Sequence, residues 1–188
     1  MTDQLAGFRV AILATDLFEE SELIEPRKAL DEAGAKTVVI APHAGEIQGV
    51  KHGKNTQKVK VDQTLVDADP ETFDAVLLPG GAKNAEALRN SQLAQEFVRR
   101  IDQTRRPVAA ICHGGWLLIS AHLVKGRHMT SYPAIQDDFR KAGAFWTDQE
   151  VVHEGNWVTS RQPSDIPRFN EEIINLFFEY HARAREAA

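Results

Sequence analysis

This chain is short of cysteine: its 188 residues include one, Cys112, with two methionines and only 7% aromatic residues. A lone cysteine cannot close an internal disulfide, which points to a reducing compartment and a cytoplasmic protein. Basic clusters are missing too. No run of Lys or Arg exceeds two residues, and the net charge is −5. The clustered cations of a nucleic-acid partner are therefore not expected. The longest apolar runs are strand-sized, and Met1 to Gly7 lacks a basic, apolar leader pattern. Neither a membrane span nor a signal peptide is predicted. The histidines other than His113 show no metal-type spacing, and no Gly-x-Gly-x-x-Gly follows a strand. The reading is an enzyme without metal or cofactor. With no repeat, low-complexity tract or linker, residues 1–188 are expected to form one domain.

What is present is an alternation of strand-like and helix-like segments, the mark of a mostly parallel sheet with helices on both faces. Phe8 to Ala14, Lys36 to Ala41, Phe73 to Pro79 and Pro107 to Ile111 are apolar runs of the kind buried on both faces. Helical periodicity follows the first of them, with Pro26 either starting or kinking that helix and Gly34 stopping it. Ser91 caps a helix carrying Leu93, Ala94, Phe97, Val98 and Ile101. Gly114 to Leu123 is apolar nearly all round and is predicted to be a buried helix, with His122 a core or interface group. Residues 45–65 read as an antiparallel excursion turning at Gly53-Lys-Asn. A short strand near His128–Ser131, a helix from Pro133 to Ala142, a hairpin at Glu154-Gly155-Asn156 and a last helix from Pro167 complete the chain. Trp116, Trp146 and Trp157 are expected in the core or at an interface.

Three segments carry chemistry. In Val108-Ala-Ala-Ile-Cys112-His113-Gly114 a strand runs straight into a helix, so Cys112 sits at a sharp turn. Small neighbours at −2 and +2, here Ala110 and Gly114, are what such a nucleophile elbow needs. The helix start and its free amides favour a thiolate, so a thiol below its ordinary pKa is expected. Leu78-Pro-Gly80-Gly81 allows close backbone approach. If its strand neighbours the cysteine strand, the amides of Gly81 and His113 form an oxyanion hole. The acidic loop from Asp16 to Glu22 lies on the same strand edge, and one of its acids is placed to act on the thiol.

Taken in this order, Phe18-Glu-Glu-Ser-Glu-Leu-Ile-Glu-Pro26, Leu78-Pro-Gly-Gly81, Ala109-Ala-Ile-Cys-His-Gly114, Thr130-Ser-Tyr-Pro133 and Gly155-Asn-Trp-Val-Thr-Ser-Arg161 resemble the PfpI family. That family includes the Parkinson-disease deglycase and bacterial general stress proteins. The resemblance covers roughly residues 8–180. It implies a flavodoxin-like sandwich of the class I glutamine amidotransferase-like type, with Cys112 as nucleophile and Glu22 in contact with its sulfur. Gly80 and Gly81 would line the substrate side, and His113 is described in parts of the family as catalytic. Neighbours at a tight elbow rarely turn their side chains to one another, so sequence does not supply a His113–Cys112 pair. Glu86 matches an acid that reaches the histidine from a neighbouring subunit. Tyr132 and Arg161 match pocket positions loosely, and Gly115 stands where relatives often carry proline.

The resemblance implies cofactor-free glyoxalase or deglycase chemistry on a small carbonyl substrate or glycated protein. The alternatives are an intracellular cysteine peptidase and an oxidisable sensor or chaperone. A glutamine amidase is disfavoured because no His-x-Glu pair follows the late strand, where Thr159-Ser-Arg-Gln-Pro-Ser164 stands. A homodimer or higher homo-oligomer is expected, with the 45–65 excursion or the Glu86 loop at the contact. Sedimentation at micromolar concentration checks this: a single monomeric species would exclude any shared site.

Overall fold

A computed structural model describes residues 3–187. In chain order the strands and helices are β1 (Arg9–Leu13), β2 (Phe18–Glu19), α1 (Glu20–Glu32), β3 (Lys36–Ala41), β4 (Glu46–Lys51), β5 (Lys54–Lys60), β6 (Gln63–Thr64) and β7 (Ala75–Leu78). There follow α2 (Ala82–Arg89), α3 (Gln92–Gln103), β8 (Val108–Ile111), α4 (Trp116–Ser120), β9 (His128–Met129), α5 (Gln136–Lys141), β10 (Phe145–Trp146), β11 (Val151–Glu154), β12 (Trp157–Ser160) and α6 (Ile166–Glu186). Seven strands form one sheet in the order β11-β12-β8-β7-β1-β3-β6. Every neighbour pair in it is parallel except β11 with β12. The α/β class with a mostly parallel sheet is thus the observed one.

The apolar strands serve two cores at once because side chains alternate across a sheet. Val10 and Ile12 of β1 enter the core with Leu23, Leu30, Phe169, Ile173 and Phe177 from α1 and α6. Ala11 and Leu13, one residue out of phase, enter the core with Phe97, Ile101, Leu117 and Phe139 from α3, α4 and α5. Both faces of β7 and β8 are buried in the same way. Helix α3 starts as expected, with Ser91 Oγ accepting the N–H of Ala94 at 3.2 Å.

Several segments differ from the sequence reading. Helix α1 is continuous, with Pro26 buried inside it. The excursion is a three-stranded sheet, β2-β4-β5, turning at His52-Gly53, one residue before the expected position. Both turn residues have positive φ (50° and 73°), the geometry that matches strand twist in a two-residue hairpin loop. The predicted buried helix over Gly114–Leu123 is instead a 3-10 turn at Cys112–Gly115 followed by the five-residue α4. His122 lies beyond its end, exposed and left-handed (φ 60°), so it is not a core group. Pro133–Ala142 opens as a 3-10 turn before α5, and the strand near His128 is two residues long and pairs with β10. Helix α2 is not apparent in the apolar pattern. Trp146 and Trp157 are buried, whereas Trp116 is half-buried.

Leu77 and Leu78 of β7 pair with Ala109 and Ala110 of β8, so Pro79-Gly80 and Ile111-Cys112 leave the sheet side by side. Gly114 then rides directly over the end of β7. A Cβ on it would fall on the Leu78 carbonyl oxygen and 2.9 Å from that of Pro79. Both are rigid backbone atoms. Gly114→Ala is therefore expected to cost about 2 kcal/mol or more. Urea unfolding measures this, and a loss under 0.5 kcal/mol would mean that the elbow has slack.

Candidate active site

Cys112 occupies a left-handed backbone conformation, φ 60°. A residue other than glycine persists there only when its surroundings over-determine it. The strand pairing behind it and Gly114 beneath it provide that constraint, and the residue is left 9% exposed. The backbone N–H groups of His113 and Gly81 favour the anion of the sulfur. Gly81 and His113, the residues expected to supply oxyanion amides, thus lie together at Cys112. Gly81, at φ 92°, also starts α2.

Glu22 alone among the acids of the first loop reaches the sulfur. Asp16 accepts the N–H of Gln48 and pairs with His43, Glu20 accepts from Gln57, and Glu19 is half-buried at the start of α1. Glu22 is fully buried, and its Oε2 accepts the N–H of Gly80 at 2.8 Å. Oε1 is buried without a hydrogen-bond partner among the described residues. Gly80 is the wedge between acid and thiol: a Cβ there would overlap Glu22 Oε2 and lie 2.8 Å from Cys112 Cβ.

Burial pushes the Glu22 carboxyl up from 4.5 to about 8, against the pull of the Gly80 N–H and the Cys112 thiol. Burial, then the Glu22 charge, also push the Cys112 thiol up, against the pull of the two amides. The expected lowered thiol is thus corrected: burial, the largest influence, holds the thiol above its ordinary value, and any charge on Glu22 pushes it further up. Pushed up to about 8, the Glu22 carboxyl keeps its proton at neutral pH.

His113 departs from the sequence reading in a useful way. Its Nδ1 lies 3.2 Å from the Cys112 sulfur, so these consecutive residues do meet. The left-handed turn at Cys112 brings the two side chains to one side. The ring stacks on Tyr132 (centroids 5.0 Å apart) and meets Trp116 edge-on at 4.9 Å. Burial pushes its pKa below 6.5, leaving a neutral imidazole beside the thiol. Tyr132 thus belongs to the site. Arg161 does not present a free cation: it pairs with Asp165 at 2.8 Å and Asp148 at 2.9 Å. Glu86 is exposed on α2 and accepts from Asn90 at 3.2 Å, so within one chain it is not part of the Cys112–His113 pair.

Sequence reasoning missed Asn84. This fully buried residue of α2 accepts the N–H of Thr15 at 2.7 Å and donates to the carbonyls of Pro79 (3.1 Å) and Gly80 (2.9 Å). It ties the loop after β1, which leads to Glu22, to the loop carrying Gly80 and Gly81. Its only sequence signal was a polar residue three places after Gly81.

The profile of the DJ-1/PfpI family matches residues 8–176. The chain belongs to this family. A deglycase of Pyrococcus abyssi is 44% identical over 168 residues, spanning 89% of this chain and 98% of its own. A Bacillus subtilis protein named as a candidate cysteine protease is 43% identical over 168 residues, with 89% and 97% covered. Among solved structures, a two-domain protein of Anabaena variabilis with dj-1/thij/pfpi-like and ferritin-like domains superposes with a TM-score of 0.84 at 34% identity. That match covers 89% of this chain and 47% of the longer one. The relatives' names assign them different reactions, deglycase and cysteine protease. Among the described residues no group of three His, Cys, Asp or Glu side chains is set to hold a metal ion, and no helix is long and apolar enough to cross a membrane.

The raised Glu22 pKa makes stability depend on pH. Between the unfolded value of 4.5 and the folded value of about 8, the native state holds a proton that the unfolded chain has lost. The contribution of this proton to stability is therefore full below pH 4.5 and is lost as pH rises through about 8, an effect on the order of a few kcal/mol. The Cys112 thiol, also pushed up, extends the decline to higher pH. Glu22→Gln should flatten the slope between pH 5 and 8 in denaturant titrations. An unchanged slope would mean that Glu22 is ionised in the folded protein.

Proposed function

We propose that the chain is a cysteine-dependent enzyme of reactive carbonyls, converting a 2-oxoaldehyde, or its early adduct on a protein, to the hydroxy acid. The observation that carries this reading is the Glu22 carboxyl, which keeps its proton at the sulfur of a strained, amide-facing cysteine. Such a group can hand a proton to a carbonyl oxygen and then, as carboxylate, take one from the adjacent carbon.

The thiol proton moves to His113 Nδ1 as sulfur bonds to the aldehyde carbon, and the carbonyl electron pair moves to oxygen beside the amides of Gly81 and His113. Glu22 protonates that oxygen, giving a hemithioacetal. Glu22 carboxylate then removes the former aldehyde hydrogen, while His113 gives its proton to the ketone oxygen, and an enediol forms. Glu22 returns a proton to the second carbon, and the hydroxyl proton on the first passes back to Glu22. This leaves a thioester of the hydroxy acid. Water, deprotonated by His113, attacks the thioester, the C–S bond breaks, and His113 returns the proton to sulfur. The net change is addition of one water, with no oxidant or cofactor.

The deglycase name of the Pyrococcus relative supports a carbonyl substrate. A cysteine peptidase is the second reading, favoured by the 3.2 Å His113–Cys112 contact, since His113 supplies the acid that an amine leaving group needs. In that reading, Glu86 from a second copy would orient the imidazole.

Product analysis with methylglyoxal separates these readings. Lactate should form with the wild type, at least about a hundredfold more slowly with Glu22→Gln and not measurably with Cys112→Ala, whose fold should stay intact. If Cys112→Ala retains a tenth of the turnover, the nucleophile is misassigned. If Glu22→Gln turns over methylglyoxal normally while peptide cleavage depends on His113, the peptidase reading replaces this one.

A further inference from the structure

At the opposite end of the sheet from Cys112, where the chain enters β8 and β12, lies a cavity of about 420 Å³. Its apolar side is Pro107, Leu176 and Ala184, the first two buried. Its polar side is Arg105, Arg183 and Tyr180. The neighbouring arginines are paired: Arg100 and Arg106 with Glu71, and Arg127 with Asp102 at 2.9 Å. By contrast, Arg105 and Arg183 make no ion pair among the described residues, and the only side-chain bond of Arg183 among them goes to the carbonyl of Glu179. The half-buried Tyr180 ring packs edge-on against Phe8, and its hydroxyl has no hydrogen-bond partner among the described residues.

The wall between these groups is rigid. Asn156, 7% exposed, donates to Arg106 O at 2.9 Å and Asp102 Oδ1 at 3.0 Å, and its own carbonyl accepts the N–H of Val108 at 2.8 Å. These bonds clamp the β11–β12 turn to the segment before β8. The two rim turns are held left-handed, at Arg105 (φ 59°) and Gly155 (φ 60°). A largely pre-formed cleft with an apolar floor and a few polar groups is the usual form of a small-molecule site, and here the exposed Arg105 and Arg183 stand on the rim over Leu176 and Pro107. Two unpaired guanidinium groups and a phenol select an anion, because guanidinium matches a carboxylate with charge-assisted, bidentate bonds.

We propose that this cavity binds a small organic anion with an apolar body, its carboxylate held by Arg105 and Arg183 and its body laid on Leu176 and Pro107. The site is separate from the chemistry at Cys112 and stands whether or not the carbonyl reading holds.

Benzoate, its neutral counterpart benzyl alcohol, and inorganic phosphate serve as probes, followed by amide NMR of the full chain. Benzoate should bind saturably and shift the amides of Arg105, Gly155 and Asn156. Benzyl alcohol and phosphate should bind at least about tenfold more weakly, each lacking one half of the recognition. Arg183→Gln and Arg105→Gln, at exposed positions that leave the fold and the Cys112 site alone, should each weaken benzoate about tenfold. Equal binding of benzoate and benzyl alcohol, benzoate binding that ignores both substitutions, or no shifts at these amides would each overturn the proposal.

Discussion

The ends of β7 and β8 lie so close that no side chain fits between them. Gly114 lies against the carbonyls of Leu78 and Pro79, and Gly80 lies between Cys112 and Glu22. This contact holds Cys112 at φ 60°, a conformation costing of the order of 1–3 kcal/mol. The strain persists because both strands are buried on both faces, and releasing the elbow would require separating them. With the elbow fixed, the amides of Gly81 and His113 and the ring of His113 fall around one sulfur.

The same closeness sets the protonation. Glu22 stands in the first turn of α1, where the helix dipole favours a carboxylate by roughly 0.3–1 kcal/mol and at most ~2. Full burial opposes ionisation by several kcal/mol. Burial wins, and the carboxyl is pushed up to about 8. Cys112 is caught in the same balance, with two amides and the start of a short helix set against burial and a neighbouring acid. At neutral pH the site therefore holds protons on Glu22 and Cys112 rather than charge. The neutral imidazole of His113 lies 3.2 Å from the sulfur, within reach of its proton.

Much of this was legible in the residues. The four central strands show as continuous apolar runs because each is buried on both faces, and Ala110-x-Cys112-x-Gly114 marks the elbow because only small residues clear the turn. Glu22, Gly80 and Gly81 follow from the family pattern and come together as it implies. What stayed hidden depends on three-dimensional closeness. Helix α2 is eight residues between Gly81 and Ser91, too short and too polar for its periodicity to stand out. The direction of the thiol shift turns on the burial of Glu22, which no local pattern reports. The His113–Cys112 contact arises from one backbone angle, and extrapolating from ordinary turns gives the opposite answer. Glu86 matches in sequence, yet within a single chain it faces solvent.

Asn84 connects these points. An active site whose acid is set by burial needs its distances fixed more than its charges, since a small gap would admit water and return Glu22 to its ordinary range. Two loops must be held for that, one leading into α1 and one leaving β7. Backbone bonds alone join them weakly, through the Glu19 N–H to the Gly80 carbonyl at 3.2 Å. Asn84 adds three bonds of 2.7–3.1 Å, all in the interior where each is stronger than in water and costly to break. An amide suits this task because it both accepts and donates without carrying charge. An aspartate there would have no donor for the Pro79 and Gly80 carbonyls, and would place a third buried acid beside Glu22 and Cys112. The helix that sequence reading overlooked is thus the part that keeps the reactive end of the sheet closed.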